Sequence, residues 1–326
     1  MKSILLASAS VFAFAGAAAA EGHTGVNFSG EANAEYNSEN GYSTDAEATA
    51  TLTQELDNGL TATAEITLAA DEGDDSDELS YGDITLASDT ASITFTNDLD
   101  GAAFSAVSDT IGIGDGEESG AVGVAGSVTM SPATFYISMP INEGGDGDTD
   151  DIEFGLSADV SGWTVGLGFA NDAAGDDDGG FVAKASGTVS GFDLTVAAGE
   201  VDGDNKYDVA VSYPIGAVTI GANTDDSEES ELTLGYAEGP VSVDVAVDTE
   251  DDYSIDGSYD VGNGLVVYAG IVDAGDDMYV GGAYDLGGGA SFTASFVDDG
   301  GTANGDNEIG AQDYADGTTV GVSFAF

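Results

Sequence analysis

The 326-residue sequence has no cysteine and one histidine, and it lacks a long apolar run beyond its first twenty residues. Without cysteine, disulfides contribute nothing to stability. Neither a zinc site nor a cysteine nucleophile can form from one histidine and no thiol. His23 lies near the start of the chain, where we expect it to be solvated. These absences predict that the protein is not an enzyme and holds no dedicated metal.

Basic side chains are also scarce. The sequence has three lysines and no arginine, whereas 62 residues are acidic. A chain with a formal charge of -59 cannot neutralise phosphates, which excludes nucleic acid as a partner. Two explanations of this acidity stay open. The carboxylates could attract cations, or they could adapt the protein to salty water, in which screening reduces self-repulsion.

The first twenty residues have the features of an export signal. Lys2 gives a positive start, an apolar run follows over 4–17, and three alanines at 18–20 offer a cleavage site. The apolar run is too short to span a membrane as a helix. We therefore expect residues 1–20 to be removed and residues 21–326 to leave the bacterial cytoplasm.

The rest of the chain contains a repeated alternation of apolar and polar residues. In the last segment Val320, Val322, Phe324 and Phe326 fall on one face of an extended chain, and small or polar residues fall on the other. Many such segments, separated by turn residues, are the signature of a transmembrane β-barrel. Their number predicts an all-β, antiparallel, up-and-down barrel of about 16–20 strands.

The connections between these segments alternate in kind. Short turns at one rim and long loops at the other are what an up-and-down barrel requires, whereas a Greek-key sandwich has no reason to sort them. The predicted short turns are Asn58-Gly59, Ser131-Pro132, Ser161-Gly162, Ser190-Gly191, Glu238-Gly239, Asn263-Gly264 and Gly287-Gly288. The longer, acidic connections are 71–77, 143–151, 171–180, 225–231 and 297–316. Within one strand, a change of parity predicts a β-bulge at Gly82.

The polar face of the predicted strands carries charge. Glu31, Glu35, Glu47 and Glu65 alternate with apolar residues, and Lys184 has the same parity. Burying such carboxylates in a small barrel would be costly, but a barrel of about sixteen or more strands encloses water. We therefore expect these five residues to line an aqueous lumen.

Aromatic residues cluster near the predicted strand ends, where in a membrane they would form two interfacial girdles. The alternative is the core of a soluble sandwich, which also favours aromatic residues in strands. The residues concerned are Tyr36, Tyr81, Trp163, Phe181, Phe192, Tyr213, Tyr236, Tyr253, Tyr259, Tyr284 and Phe296.

One connection, the third loop at 97–120, is far longer than most and mixes apolar with acidic residues. A loop that projects freely into water would leave its apolar side chains exposed, which is unfavourable. These side chains are Leu99, Phe104, Val107, Ile111 and Ile113. Folded into the lumen, the loop would bury these residues and hold its carboxylates across the bore. The predicted pore constriction consists of Asp98, Asp100, Asp109, Asp115, Glu117 and Glu118. The alternative is an ordinary surface loop.

These features resemble the general porins of Gram-negative bacteria, most closely the Rhodobacter-type branch. The resemblance rests on short stretches at 56–60 (LDNGL), 81–86 (YGDITL), 284–290 (YDLGGGA) and 321–326 (GVSFAF). It implies a homotrimer in the outer membrane, among its lipids and lipopolysaccharide, that passes small hydrophilic solutes and ions passively. It also implies that the third loop forms the eyelet of the pore. The terminal aromatics, Phe324 and Phe326, then signal to the barrel-insertion machinery.

The chain departs from that family in its predicted strand number and in its charge. The family has about sixteen strands and sets basic residues against an acidic loop. Here only Lys184 has an inward parity, and Lys206 lies near a strand start. An all-acidic constriction follows, and rings of carboxylates favour cations. The sequence therefore predicts a cation-preferring channel.

Two alternatives stay open. A secreted, calcium-binding, β-rich adhesin or surface-layer protein would be soluble without detergent and would unfold on chelation. A barrel plugged by its third loop would anchor or scaffold and conduct poorly. The acidic stretches 146–151 and 172–178 could bind calcium weakly, but they lack EF-hand spacing and the nonapeptide repeat. We therefore expect no cofactor.

Overall fold

A computed structural model describes residues 24–71, 78–99, 121–141, 152–171, 180–201, 204–226, 230–249, 252–298 and 314–326. This part of the chain forms twenty β-strands and one short 3-10 turn, Asp273–Gly275. It contains no helix long and apolar enough to cross a membrane. The predicted signal peptide at 1–20 and His23 lie outside the described residues.

The strands run in chain order around a single sheet. The first ten are β1 (Thr24–Asn37), β2 (Gly41–Glu55), β3 (Thr61–Asp71), β4 (Glu78–Ala87), β5 (Ala91–Leu99), β6 (Ala121–Met130), β7 (Ala133–Pro140), β8 (Ile152–Val160), β9 (Trp163–Asn171) and β10 (Gly180–Val189). The next ten are β11 (Phe192–Val201), β12 (Asp204–Ile215), β13 (Val218–Asp225), β14 (Ser230–Glu238), β15 (Val241–Asp248), β16 (Tyr253–Gly262), β17 (Leu265–Val272), β18 (Asp277–Gly287), β19 (Ala290–Asp298) and β20 (Gly317–Ala325).

Each strand pairs antiparallel with its neighbours in sequence, and β20 also pairs with β1. The sheet is therefore a closed, twenty-stranded, up-and-down barrel, as the alternation of residues predicts. Closure matters because an open edge would leave backbone donors and acceptors without partners in lipid. Twenty strands exceed the size at which the interior of a barrel becomes an aqueous channel.

Short turns follow the even-numbered strands from β2 to β18, so they all lie at one rim, which we call the turn rim. The opposite end, which carries the longer connections, is the loop rim. Two predicted turns fall one residue later than expected, at 239–240 and 288–289, because Glu238 and Gly287 still belong to strands. Two further turns, at 88–90 and 216–217, escaped prediction. The first of these has no Asn-Gly pair. Its backbone is held instead by Ser88 Oγ, which accepts hydrogen bonds from the amides of Thr90 and Ala91.

Several of the two-residue turns have a backbone shape that matches the twist of the strands. Ser161 and Gly162 have φ angles of 56° and 86°, and Asn263 and Gly264 have φ angles of 56° and 85°. Two successive positive φ angles define a type I′ turn, which joins antiparallel strands without splaying them. Glycine at the second position takes this conformation at no steric cost.

The predicted bulge at Gly82 is confirmed. Ala64 lies opposite Ile84 while Ile66 lies opposite Tyr81, so the register shifts by one residue between β3 and β4. A Cβ atom at residue 82 would lie 3.0 Å from Cβ of Glu65. The extra residue lets Tyr81 and Ile84 share the outer face, on which their side chains are 65% and 54% exposed.

Aromatic side chains lie near both ends of the outer face, as predicted. Close to the turn rim, the rings of Phe192 and Tyr213 stack with their centroids 4.4 Å apart. Tyr236, Tyr259 and Tyr284 also lie near the ends of their strands at this rim. Close to the loop rim, Tyr36, Phe181 and Phe296 are exposed. Amphipathic rings at these two levels are typical of the membrane–water interfaces of a barrel.

Candidate pore lining

The inner face of the sheet is the face opposite to the exposed apolar residues. The five predicted lining residues all have this parity. Glu31 lies opposite Glu47 across β1 and β2, and Glu65 lies opposite Thr51 across β2 and β3. The neighbours of Glu35 are Ser43 and Gly321, and those of Lys184 are Gly166 and Ala197. Their role in permeation stays a prediction.

The strand register brings carboxylates together in facing pairs. Besides Glu31 and Glu47, Asp244 lies opposite Asp256 and Asp208 lies opposite Asp225. Like charges directly opposite each other weaken a sheet unless water or ions screen them. The separate residues are visible in the sequence, but these pairs were missed. Counting outward from the turn at 38–40 would have placed Glu31 against Glu47.

Several carboxylates of the inner face accept hydrogen bonds from neutral hydroxyl groups. Thr188 Oγ1 donates a hydrogen bond of 2.6 Å to Asp193 Oδ1, and Thr164 Oγ1 donates one of 2.9 Å to Asp159 Oδ1. Thr51 Oγ1 lies 3.2 Å from Glu65 Oε1 in the same relation. A hydroxyl orients a carboxylate without cancelling its charge. The inner face therefore keeps its negative potential at these positions.

Lys206 departs from the expectation that Lys184 alone has an inward parity. Lys206 lies opposite Gly199, two residues before Asp208 on the inner face of β12. Its Nζ is 3.0 Å from Asp226 Oδ2, in the turn that follows β13 at the loop rim. The hydrogen bond from Lys206 is the main cause that lowers the pKa of the Asp226 carboxyl below its usual value. The parity was missed because β12 begins at Asp204, and the sequence does not fix that boundary.

The inner face of β5 to β10 is shielded from solvent near the loop rim. Leu99 and Val182 are each 1% exposed, Ser138 is 0% exposed and Glu153 is 1% exposed. Ser138 Oγ donates a hydrogen bond of 2.6 Å to Glu153 Oε2. By contrast, Glu31 and Glu47 on the inner face of β1 and β2 are exposed. Near the loop rim the inner face of β1 is covered as well, because Asn37 is 1% exposed, so the accessible Glu31 and Glu47 lie farther from this rim.

The third loop begins later than predicted. Strand β5 continues to Leu99, and its register against β6 shifts between Thr96 and Leu99. This irregularity brings the side chain of Leu99 to the inner face, 2.5 Å from the position that a Cβ atom at Gly123 would take. Asp98 thus belongs to β5, although its side chain lies outside the described part. Asp100, Asp109, Asp115, Glu117 and Glu118 also lie outside it, so the constriction stays a prediction.

The C-terminal aromatics lie on the outer face beside the seam between β1 and β20. Phe324 is 51% exposed. Phe326 exchanges backbone hydrogen bonds with Gly30, which extends the pairing of the two strands past the end of β20. This geometry gives Phe326 a place in barrel closure. Its role as an insertion signal stays a prediction.

Within the described ranges, no group of three or more acidic or histidine side chains is arranged to hold a metal ion. The acidic stretches 146–151 and 172–178 lie outside the described residues. Weak calcium binding by these stretches therefore stays a prediction.

Residues 7–326 of the chain match the family model of the Gram-negative porins. The chain belongs to the Gram-negative porin family. Membership places the porin in the outer membrane and implies a channel rather than an enzyme. The resemblance that the sequence predicts is thereby confirmed. An outer-membrane protein is not a released adhesin or a surface-layer protein, which were the alternative.

Solved structures similar to this porin include three mutants of the Rh. blastica porin. Two triple mutants are 15% and 16% identical to the chain, and a double mutant is 14% identical. Each comparison covers 92% of this chain and 100% of the other, with a TM-score of 0.43. Among curated proteins, no significant match was found.

Proposed function

We propose that this porin is a cation-preferring channel for the passive diffusion of small hydrophilic solutes and ions. The observation that carries the proposal is the set of facing carboxylates on the inner face, such as Glu31 with Glu47 and Asp244 with Asp256. In a water-filled passage with low-dielectric walls, such charges raise the local concentration of cations and oppose anions.

Few basic residues offset these carboxylates. After removal of Lys2 with the signal, 62 acidic residues remain with Lys184 and Lys206. The Nζ of Lys206 is 3.0 Å from Asp226 Oδ2 at the loop rim. The hydroxyl donors of the inner face are neutral. The balance of charge therefore favours cations, whether or not the acidity also serves salt adaptation.

We propose that the third loop, together with Asp98 at the end of β5, forms the narrowest part of the passage, with Asp98, Asp100, Asp109, Asp115, Glu117 and Glu118 as its carboxylates. Support comes from Leu99, the last residue of β5, which is buried on the inner face against Gly123. An apolar residue on the inner face of a water-filled barrel is buried only where another part of the chain lies over it, and the third loop follows Leu99 directly.

The proposals for assembly and for insertion into the membrane rest on the resemblance to the family. We propose a homotrimer that lies among outer-membrane lipids and lipopolysaccharide after cleavage of residues 1–20. Phe324 and Phe326 are proposed to engage the barrel-insertion machinery. The acidic connections are proposed to bind calcium weakly, with oxygen ligands of the kind that calcium prefers.

Single-channel recording in a planar bilayer across a salt gradient tests the channel and its selectivity together. The porin is expected to open in groups of three equal steps and to show a cation-selective reversal potential. At about 0.01 M salt the Debye length is about 30 Å, so charges on the wall act across the bore. Neutralising the six proposed constriction carboxylates together, from Asp98 to Glu118, is expected to weaken the cation selectivity.

A matched pair of double variants separates the wall from the surface. Glu31→Gln with Glu47→Gln is expected to shift the reversal potential toward zero. Asp57→Asn with Asp89→Asn removes the same charge from connections at the turn rim and should have the smaller effect. An anion-selective or unselective wild-type pore would refute the cation preference, and folded protein without openings would indicate a plugged barrel.

A further inference from the structure

An aromatic cluster lies on the inner face near the loop rim, apart from the facing carboxylates. Tyr279 is 4% exposed and Val297 is 1% exposed, and Tyr268, Val272 and Tyr314 pack against them. Apolar residues on the inner face of a water-filled barrel are covered only where another part of the chain lies over them. Tyr314 is the member of this cluster that comes from outside the strands, just before β20.

Two glycines make room for the rings. A Cβ atom at Gly270 would lie 2.5 Å from Cε1 of Tyr279, and one at Gly281 would lie 2.5 Å from Cζ and from the phenol oxygen of Tyr314. The two rings are 5.7 Å apart between centroids, with their planes tilted by 55°. Tyr279 also donates a hydrogen bond of 2.5 Å to Asp256 Oδ1. Both rings therefore pack directly against the inner side of the barrel wall, at positions where the wall has no side chain.

The position of Tyr314 shows that the chain runs inward before it enters β20. Gly281 pairs with Ser295, and Ser295 pairs with Thr319, so these three residues form one row across β18, β19 and β20. Ser295 and Thr319 are each 7% exposed. Tyr314 precedes Thr319 in the chain yet contacts Gly281 in the same row. The row begins roughly 13 Å inside the rim along β18, at about 3.3 Å per residue.

The residues between Tyr314 and β20 are anchored at both ends. Asn37 Nδ2 donates hydrogen bonds of 2.7 Å to the carbonyl of Asp316 and 2.8 Å to Thr319 Oγ1. Asn37 is 1% exposed. At the other end, the Tyr314 ring packs against the Tyr279 ring and against Gly281. We call residues 314–316 the inner ledge.

We propose that the inner ledge narrows the pore on the side of β18 to β20 and that the Tyr314 ring sets its free cross-section there. This inference rests on the proposed function, because the free cross-section of the pore affects conductance only if the porin is a conducting channel. It adds a second element to the constriction, separate from the third loop and on a different part of the wall. Tyr314 is partly exposed, whereas Tyr279 is 4% exposed, so Tyr314 is the ring of this pair that a permeating solute meets.

Conductance of three variants of the full-length porin tests the ledge. Tyr314→Ala removes the ring and is expected to raise the single-channel conductance, whereas Tyr314→Phe keeps the ring and should conduct like the wild type. Tyr284→Ala removes an equal side chain from the outer face of β18 and should leave conductance unchanged. Equal conductance of Tyr314→Ala and wild-type channels would overturn the inference.

A thiol introduced into this cysteine-free chain gives a second test, which measures whether residue 314 is accessible from the water-filled passage. It does not rely on the empty space that removal of the ring leaves. Tyr314→Cys is expected to react with a charged, water-soluble methanethiosulfonate in the open channel and to change its conductance in steps. Tyr284→Cys, which faces lipid, should not respond. A silent Tyr314→Cys in an open channel refutes the ledge alone, whereas a wild type without openings refutes the proposed channel.

Discussion

Gly30 and Phe326 close the barrel at the seam between its first and last strands. The amide of Gly30 donates a 3.1 Å hydrogen bond to the carbonyl of Phe326, and the amide of Phe326 donates one of 3.0 Å to the carbonyl of Gly30. The ring of Phe326 lies over Gly30, with Cζ 2.8 Å from the position of an added Cβ. The last residue of the chain thus pairs with a residue near its beginning, and only a residue without a side chain fits beneath it.

Gly30→Ala is expected to destabilise the folded barrel by about 1–3 kcal/mol, because the new methyl group would overlap the ring and the carbonyl of Glu47. Urea unfolding of the protein in lipid vesicles measures the change. Gly25→Ala on the same strand is the control, because no atom lies within 4 Å of its added Cβ. Equal unfolding midpoints for the two variants would contradict the seam packing.

Ser138→Ala is expected to lower the free energy of unfolding by about 1.5–3 kcal/mol, since it removes a buried hydrogen-bond donor from the carboxylate of Glu153. Ser127→Ala is the matched control. Ser127 shares a hydrogen bond of 2.8 Å with the neutral hydroxyl of Ser92, and its loss should cost about 0.5–1.5 kcal/mol. The same unfolding assay compares both, and a larger effect of Ser127→Ala would argue against a charged bond at Glu153.

Cysteine substitutions on β3 are expected to distinguish the two faces of the sheet. Glu65 has the inner parity, whereas Leu68 is 58% exposed on the outer face. In lipid vesicles, Glu65→Cys should react with a water-soluble thiol reagent much faster than Leu68→Cys, because lipid covers the latter. Mass spectrometry counts the modified chains. Faster modification at residue 68 would reverse the assignment of the faces.

The carboxyl of Asp226 is expected to titrate at a lower pH in the wild type than in Lys206→Gln, because the lysine favours the charged form. A pKa lowered in the folded state stabilises the protein above the unfolded pKa, and this contribution disappears as pH falls through the folded pKa. Carbon-13 NMR of aspartate-labelled protein in micelles measures the shift.

Salt provides the control for the Asp226 titration. Both partners are partly exposed, so screening should reduce the difference between wild type and Lys206→Gln as ionic strength rises. A pKa that is the same in both proteins at low salt would show that the ion pair does not persist in solution.

Much of the architecture could be predicted because the pattern is local. Alternation with a period of two assigns residues such as Glu31 and Val320 to opposite faces without any knowledge of neighbouring strands. Asn263-Gly264 fixes a turn because few residues accept two positive φ angles. The parity change around Gly82 likewise predicts the bulge. Strand boundaries are less local: the sequence predicts that the third loop begins at residue 97, three residues too early, because it does not show the strand partner of the apolar Leu99.

The sequence by itself determined the β-barrel class, the two faces, the order of strands and the acidity of the inner face. Each follows from properties of neighbouring residues, which tertiary contacts do not alter. The tertiary structure decided the strand number, the seam between Gly30 and Phe326, the facing of Glu31 with Glu47 and the contact of Tyr314 with Gly281. These depend on register between distant segments, where a shift of one residue exchanges inside and outside.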